Sequence, residues 1–413
     1  MKIAVISYGT EGDTRPLVAL CRGLIEAGHA PVLLGERSGA GLAAGAGVPY
    51  KPLAGDIRTA LAELLARQGK ASASPTEMAD AMASMANAHT ADWMQALLEE
   101  GRTSDAIVFS GLTAYVGLSV AEHLRIPAIG AGMQPIVPTR EFPSPFLPPM
   151  RLPAWCNRFS HRLVMTLLWR SFRQSINAAR KAVAGQTQRR RAWRDYPILF
   201  GVSPLLVPPP PDWPDLVRIT GHWPLAGPEW EPPEAMARFL SAGEPPVYVG
   251  FGSMVGFDRH QVLQTVVKAL DGRRALVSTG WSEFDSAQLP GNTLLIGPAP
   301  HDRVFRLVSL AVHHGGAGTS HTAVRAGVPS VVVPFAGDQF FWAERLTRAG
   351  AAPRSIPHSK LDARTLRSRI EEACAPAMRE RAAEMGRSMS AEAGIPAAVK
   401  GIEQFVKLGL HVT

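Results

Sequence analysis

The sequence predicts an α/β protein built from two doubly wound, Rossmann-like domains that face a cleft. Three observations predict it. Its 413 residues are more than one core ordinarily organises. Apolar strand signals alternate with helical ones in both halves, the pattern of a parallel sheet covered on both faces. A proline-rich stretch separates the two alternations.

The first alternation opens on a buried strand at 3–7. A helix follows over 16–27, with apolar residues Leu17, Leu20, Leu24 and Ile25 on one face and Gly28 as its stop. Further strands are expected at 31–34, 106–110 and 126–130, with a helix at 114–123. Residues 151–185 read as a basic amphipathic helix or helix pair, in which Trp155, Phe159, Leu163, Leu167, Leu168 and Phe172 mix with Arg158, Arg162, Arg170, Arg173, Arg180 and Lys181. Pro208 to Pro211 and Pro232-Pro233 then bracket an expected linker over 208–235. The second alternation has strands at 246–251, 274–278, 293–296, 310–314 and 330–334, and a helix at 260–270. The expected division is a first domain over 1–207, the linker, and a second domain over 236–392. A final helix within 393–413 is expected to pack back on the first domain.

Composition narrows the function. Three scattered cysteines, Cys21, Cys156 and Cys374, offer neither a CxxC pair nor a disulfide framework, which favours a reducing, cytoplasmic setting. The first strand is broken too early by Gly9 to be a secretion signal, and no apolar run reaches the roughly 20 residues that span a bilayer. The formal net charge of +8 suits anionic partners such as nucleotides or an anionic membrane surface. No nucleic-acid module is evident.

The strongest chemical signal is Ala311-Val312-His313-His314-Gly315-Gly316-Ala317-Gly318-Thr319. An apolar strand enters a glycine-rich turn, and a helix starts near Thr319. Unpaired N–H groups and the positive end of the new helix would point at whatever sits there. Glycines let a ligand approach the backbone closely. The arrangement suits a diphosphate, although a ligand-free turn fits the glycines equally well. Adjacent histidines on a strand point to opposite faces, which disfavours a metal site. The continuation through Val331-Val332-Val333-Pro334-Phe335-Ala336-Gly337 delivers Asp338 and Gln339 past a strand end, where such sheets bind ligands. An acid beside an amide can hold neighbouring sugar hydroxyls; an Asp helix cap with a solvated Gln is the alternative.

These residues resemble the donor signature of the family 1 glycosyltransferases, which have the GT-B fold. Tyr8-Gly9-Thr10-Glu11-Gly12-Asp13-Thr14-Arg15-Pro16 is similar to the first loop of bacterial and fungal members. Asn157-Arg158-Phe159-Ser160-His161-Arg162-Leu163-Val164, Val247-Tyr248-Val249-Gly250-Phe251-Gly252-Ser253-Met254, Ser278-Thr279-Gly280-Trp281 and Phe335 to Trp342 resemble the sterol glucosyltransferase branch. Antibiotic glycosyltransferases share several of these pieces. The match runs through both halves in order.

The resemblance implies an inverting, metal-independent hexosyl transfer from a UDP-sugar to a hydroxyl of a lipophilic acceptor, sterol-like, terpenoid or polyketide. It implies no cofactor beyond the sugar nucleotide as substrate. Asp13 is the implied general base, in a glycine-bounded loop. Gly12, Ser253, Trp281, Pro300, His314, Gly316, Gly318, Thr319, Asp338 and Gln339 are the implied donor-binding residues. Met133, Phe142 and His161 are the implied acceptor-binding ones. The stacking Trp and ribose-binding Glu of plant members are replaced here by Pro298 and Thr322. Gln339 favours UDP-glucose, and a dTDP-sugar enzyme of the antibiotic type is the alternative. A sugar-nucleotide epimerase, a phosphorylase of the same fold, or a silent nucleotide- or lipid-binding protein are the remaining ones. Peripheral contact of the basic helix with a membrane is the last expectation.

Overall fold

A computed structural model describes residues 1–57, 59–60, 75–147, 153–227, 229–252, 259–278 and 289–410. The first domain carries β1 (Lys2–Tyr8), α1 (Glu11–Glu26), β2 (Ala30–Glu36), α2 (Ala40–Gly45), β3 (Tyr50–Leu53), α3 (Pro75–Ala88), α4 (Thr90–Gly101), β4 (Ala106–Gly111), α5 (Ala114–Leu124), β5 (Ala128–Gly132), α6 (Asn157–Ala184), β6 (Ile198–Phe200) and β7 (Val217–Ile219). The second carries α7 (Glu234–Ser241), β8 (Val247–Gly250), α8 (Arg259–Leu270), β9 (Ala275–Ser278), β10 (Thr293–Ile296), α9 (His301–Val304), β11 (Leu310–His313), α10 (Ala317–Arg325), β12 (Ser330–Val332), α11 (Gln339–Ala349), α12 (Ala363–Ala373) and α13 (Pro376–Ser390). The chain ends in α14 (Gly394–Lys407).

Among the described residues, the strands form two parallel sheets, in the order β3-β2-β1-β4-β5-β6-β7 and β10-β9-β8-β11-β12. Strands buried on both faces need continuous apolar runs, and Ile3, Ala4, Val5 and Ile6 in β1 and Leu310, Ala311 and Val312 in β11 are all fully buried. In each sheet the order reverses direction beside the first strand, between β1 and β4 and between β8 and β11. These are the switch points where a ligand crevice opens at the carboxyl ends of the strands.

Three elements depart from the sequence reading. The helix expected from Pro16 begins at Glu11, because Thr10 and Asp13 close a capping box five residues earlier, and Pro16 lies inside it. At the sixth helical position Pro16 has no N–H to give the Gly12 carbonyl, so the helix forgoes one i→i−4 bond there. The expected linker 208–235 is partly ordered sheet: β7 pairs with β6 from Val217↔Ile198 to Ile219↔Phe200. The basic stretch is one 28-residue helix, α6, with Gly185 in the left-handed conformation at its end.

The final helix crosses back to the first domain. Ala398, Val399, Ile402 and Phe405 of α14 join Leu17, Leu20 and Leu24 of α1 in one buried cluster. The domains also share a core of their own. Met133, Phe142, Phe200 and Leu206 pack with Phe341, Trp342, Leu346 and Met389. No helix among the described residues is long and apolar enough to cross a membrane.

Candidate functional site

The two switch points supply the two halves of the site. β1 ends at Tyr8, and Gly9 and Thr10 turn the chain into α1. Asp13 therefore sits on the first turn of a helix, not in a loop. Its Oδ2 accepts the Thr10 N–H at 2.9 Å and the Thr10 hydroxyl at 3.3 Å. Gly9 makes this geometry possible: a Cβ there would lie 2.3 Å from that same Oδ2. The Asp13 carboxyl pKa is pushed up from 3.8 to about 6. Burial is the main cause and the charge of Asp338 the second, while the two Thr10 bonds act in the opposite direction. Gly12, also in this turn, is exposed.

Across the cleft, β11 ends at His313 and Gly315-Gly316 turn the chain into α10. Gly315 has φ of +89°, which an L side chain rarely adopts, and a Cβ would meet Val332 at 2.7 Å. His313 points inward, fully buried, with its Nδ1 accepting the Gly315 N–H at 3.1 Å. It fixes the turn. His314 points the other way. Its ring lies beside Gly316 and Gly252, where a Cβ would stand 2.6 Å and 3.1 Å from ring atoms. Gly316 thus makes room for His314. By contrast, a Cβ on Gly318 would meet nothing within 4 Å, so that position faces open space. Thr319 completes the first turn of α10, whose leading N–H groups lack helical acceptors.

Burial lowers the His314 pKa to about 4, with His301 the second cause. The ring is neutral at physiological pH and offers a hydrogen bond, not a charge. The helix end supplies a positive field at this spot. His301 is itself held neutral by burial and by the neighbouring Arg15 of α1, and its Nε2 lies 2.9 Å from the Tyr248 hydroxyl. That Arg15 and Glu11 of α1 act on His301 places the opening turn of α1 against the second domain. Sequence reasoning did not single out His301 as a site side chain. Pro300 caps α9, and its carbonyl accepts the N–H groups of Arg303 and Val304 at 3.0 Å each.

The α11 start provides the third group. Asp338 occupies the helix cap position without bonding the helix N–H groups. Its Oδ2 instead accepts Trp342 Nε1 at 3.0 Å and Gln134 Nε2, from the first domain, at 3.4 Å. Its pKa is raised by burial. Gln339 is buried, not solvated, and its Oε1 accepts the Phe335 and Ala336 N–H groups at 2.7 Å and 3.2 Å. Gln134, absent from the sequence reading, is the residue that ties this group to the opposite domain.

Three expected acceptor residues lie elsewhere. His161 is fully buried, with Nδ1 3.0 Å from the Ile136 carbonyl and Nε2 3.0 Å from the Phe142 carbonyl. It pins the segment after β5 onto α6 and presents no surface to a ligand. Phe142 packs against the Phe341 ring at 5.3 Å, under the Arg345 guanidinium. Met133 is in the same interdomain core. Both join the domains. Ser253 and Trp281 lie outside the described residues.

Comparison with known proteins bears on the family and the fold. The model of the erythromycin biosynthesis protein CIII-like C-terminal domain matches residues 261–404. A sterol 3-beta-glucosyltransferase of Arabidopsis thaliana, UGT80B1, is 32% identical over 97% of this chain and 67% of its own length. The sterol 3-beta-glucosyltransferase of Aspergillus fumigatus is 32% identical over 97% of this chain and 30% of its own. This chain thus spans two thirds of the plant relative and under a third of that fungal one. Among solved structures, the glycotransferase of kitacinnamycin superposes with a TM-score of 0.70 at 20% identity, covering 98% of both chains. The calicheamicin glycosyltransferase CalG4 gives 0.66 at 16%, covering 98% of both. At these identities the structures share the fold.

Proposed function

The chain belongs to the family 1 glycosyltransferases of GT-B fold, and on that premise we propose that it transfers glucose, with inversion, from UDP-glucose to a hydroxyl of a sterol-like or other lipophilic alcohol. One observation carries the reading: a half-buried carboxylate, Asp13, on the first turn of α1, lies within electrostatic reach of Asp338, and α1 contacts α10.

The chemistry follows from those positions. Asp13, ionised above about pH 6, takes the proton of the acceptor hydroxyl. The acceptor oxygen forms its bond to the anomeric carbon as the bond from that carbon to the diphosphate oxygen breaks. The electron pair leaves on the diphosphate. The α10 N–H groups and His314 would meet that charge. Asp338 and Gln339 would hold the sugar hydroxyls. A single displacement needs one base and no covalent intermediate. Glucose and the sterol-like acceptor are supported by the names of the plant and fungal relatives.

A panel of UDP- and dTDP-sugars offered with pooled hydrophobic alcohols, read by mass spectrometry, tests the proposal. A β-glycoside with stoichiometric UDP is expected from α-linked UDP-glucose. Preference for a dTDP-sugar would move the enzyme to the antibiotic type. An isomerised donor, a sugar phosphate, or nucleotide binding without turnover would overturn it.

A further inference from the structure

The helix α6 has two faces of opposite character. One packs inward through Trp169, Phe172, Ile176 and Ala179. The other is open. Phe159 is 64% exposed and Leu167 50%, and Leu163 between them is exposed too. Just before the helix Trp155 is 81% exposed. Phe146 lies two residues from Ser144, whose N–H is held by the Ser160 hydroxyl of α6 at 2.9 Å, and it is exposed as well. Scattered exposed apolar residues are ordinary, but a contiguous stripe is not.

Farther along the same face the stripe gives way to cations. At about 100° per residue, Arg170, Arg173, Gln174 and Lys181 continue the line of Phe159 and Leu163. The segment after the helix adds Arg190, and between them lies a groove of about 750 Å³ lined by Arg173, Gln174, Asn177, Gln188, Arg189 and Arg190. The groove is rigid. Asn177 bonds the backbone of Arg189 in both directions, at 2.8 Å and 3.0 Å, and Trp169 Nε1 donates to the Arg190 carbonyl at 3.1 Å. Arg189 turns away to Glu122 at 2.9 Å, so Arg173 and Arg190 are the exposed cations of its walls.

Charge identifies the occupant. Residues 153–194 hold ten Lys or Arg and no Asp or Glu, more than the whole chain's net +8. Only Arg158, Arg180 and Arg189 of these are paired with acids among the described residues. A protein partner or second copy would have to supply both a large acidic face and an apolar one. An anionic bilayer supplies both at once. We propose that the outward face of α6 docks on an anionic membrane, with Phe159, Leu163, Leu167 and Trp155 entering the headgroup boundary and the Arg173–Arg190 groove receiving a lipid phosphate. This is a surface-lying helix, not a spanning one.

Sedimentation of the full chain with vesicles tests it. The protein should pellet with phosphatidylcholine vesicles containing phosphatidylserine at low salt, remain in solution with phosphatidylcholine alone, and be released as salt screens the charges. R170Q, R173Q and R190Q together should weaken partitioning about a hundredfold, since each basic side chain near such a surface contributes roughly 1 kcal/mol. F159S, L163S and L167S together should weaken it at least tenfold, by the order of magnitude of one lost apolar insertion. Both sets should retain wild-type circular dichroism and turnover on a water-soluble acceptor, which separates failure of docking from failure of the transferase reading. If a combined variant misfolds, R173Q alone and the wild-type salt series decide. Absence of pelleting at low salt, equal pelleting with neutral vesicles, or variants that pellet like wild type would overturn the proposal. So would a wild-type dimer that the serine variants make monomeric, since a second copy would then cover the face.

Discussion

Replacing Asp13 by Asn is expected to separate catalysis from stability. Asn keeps an oxygen able to accept the Thr10 N–H now bonded at 2.9 Å, so the start of α1 survives. It removes the proton acceptor. Turnover should fall by roughly two to four orders of magnitude, the usual scale for loss of a general base, with UDP affinity nearly intact. The wild-type kcat/KM should drop about tenfold per pH unit below about 6, where Asp13 becomes protonated. The residual activity of the variant should not show that limb. Stability should move the other way. The folded-state pKa lies above the ordinary 3.8, so the folded protein binds this proton more tightly than the unfolded chain. The associated stability is present below about 3.8 and is lost as pH rises through about 6. At about 1.36 kcal/mol per pH unit, a change from 3.8 to about 6 leaves the ionised carboxylate costing up to about 3 kcal/mol at neutral pH. The Asn variant should therefore melt above wild type in neutral buffer, with the gap closing in acid. Calorimetric melting across pH, paired with initial rates, makes both measurements. A variant that melts lower than wild type at neutral pH, or retains turnover across several acceptors, would refute the assignment.

The remaining expectations concern the groups around it. Gly9→Ala would place a methyl group 2.3 Å from the Asp13 carboxylate; kcat should fall roughly ten- to a hundredfold with UDP affinity unchanged, the scale of a misplaced catalytic group. His314→Ala should weaken UDP binding about ten- to a hundredfold, as one hydrogen bond to a charged group disappears, while Asp338→Ala should spare UDP and impair use of the intact donor. Titration calorimetry with both ligands checks this, and equal losses for the two in the Asp338 variant would contradict its role. Turnover should survive EDTA, because on the proposed reading the α10 N-terminus and His314 meet the diphosphate without a cation; activity lost to chelator and restored by magnesium or manganese would sink that view.

Much of this architecture was legible in the residues. Parallel strands buried on both faces read as apolar runs, so β1 and β11 and the turns that follow them could be placed from sequence. The short β7 could not: three half-buried residues just past Pro214 carry no alternation to detect. The start of α1 was misread because Pro16 looks like a first helical residue, whereas the Thr10–Asp13 reciprocity decides the matter. Site details failed where they depend on distant partners. Nothing local in the sequence links Gln134 to Asp338, 204 residues away. His161 carries a motif resemblance, yet its fate is set by two carbonyls 25 and 19 residues upstream. Gly9 reads as a turn glycine, and its relation to Asp13 appears only in three dimensions.

The return of α14 to the first domain has a consequence for synthesis. Ile395 sits so close to α1 that a Cβ on Gly23 would lie 2.2 Å from it, and Phe405 and Ile402 fill the core beneath the same helix. Domains ordinarily fold in order as they leave the ribosome. Here the helix that carries Asp13 keeps an apolar flank uncovered until α14 has been translated. The nascent first domain must wait, part-finished, while the second is made, and α1 gains this packing only once α14 has been translated.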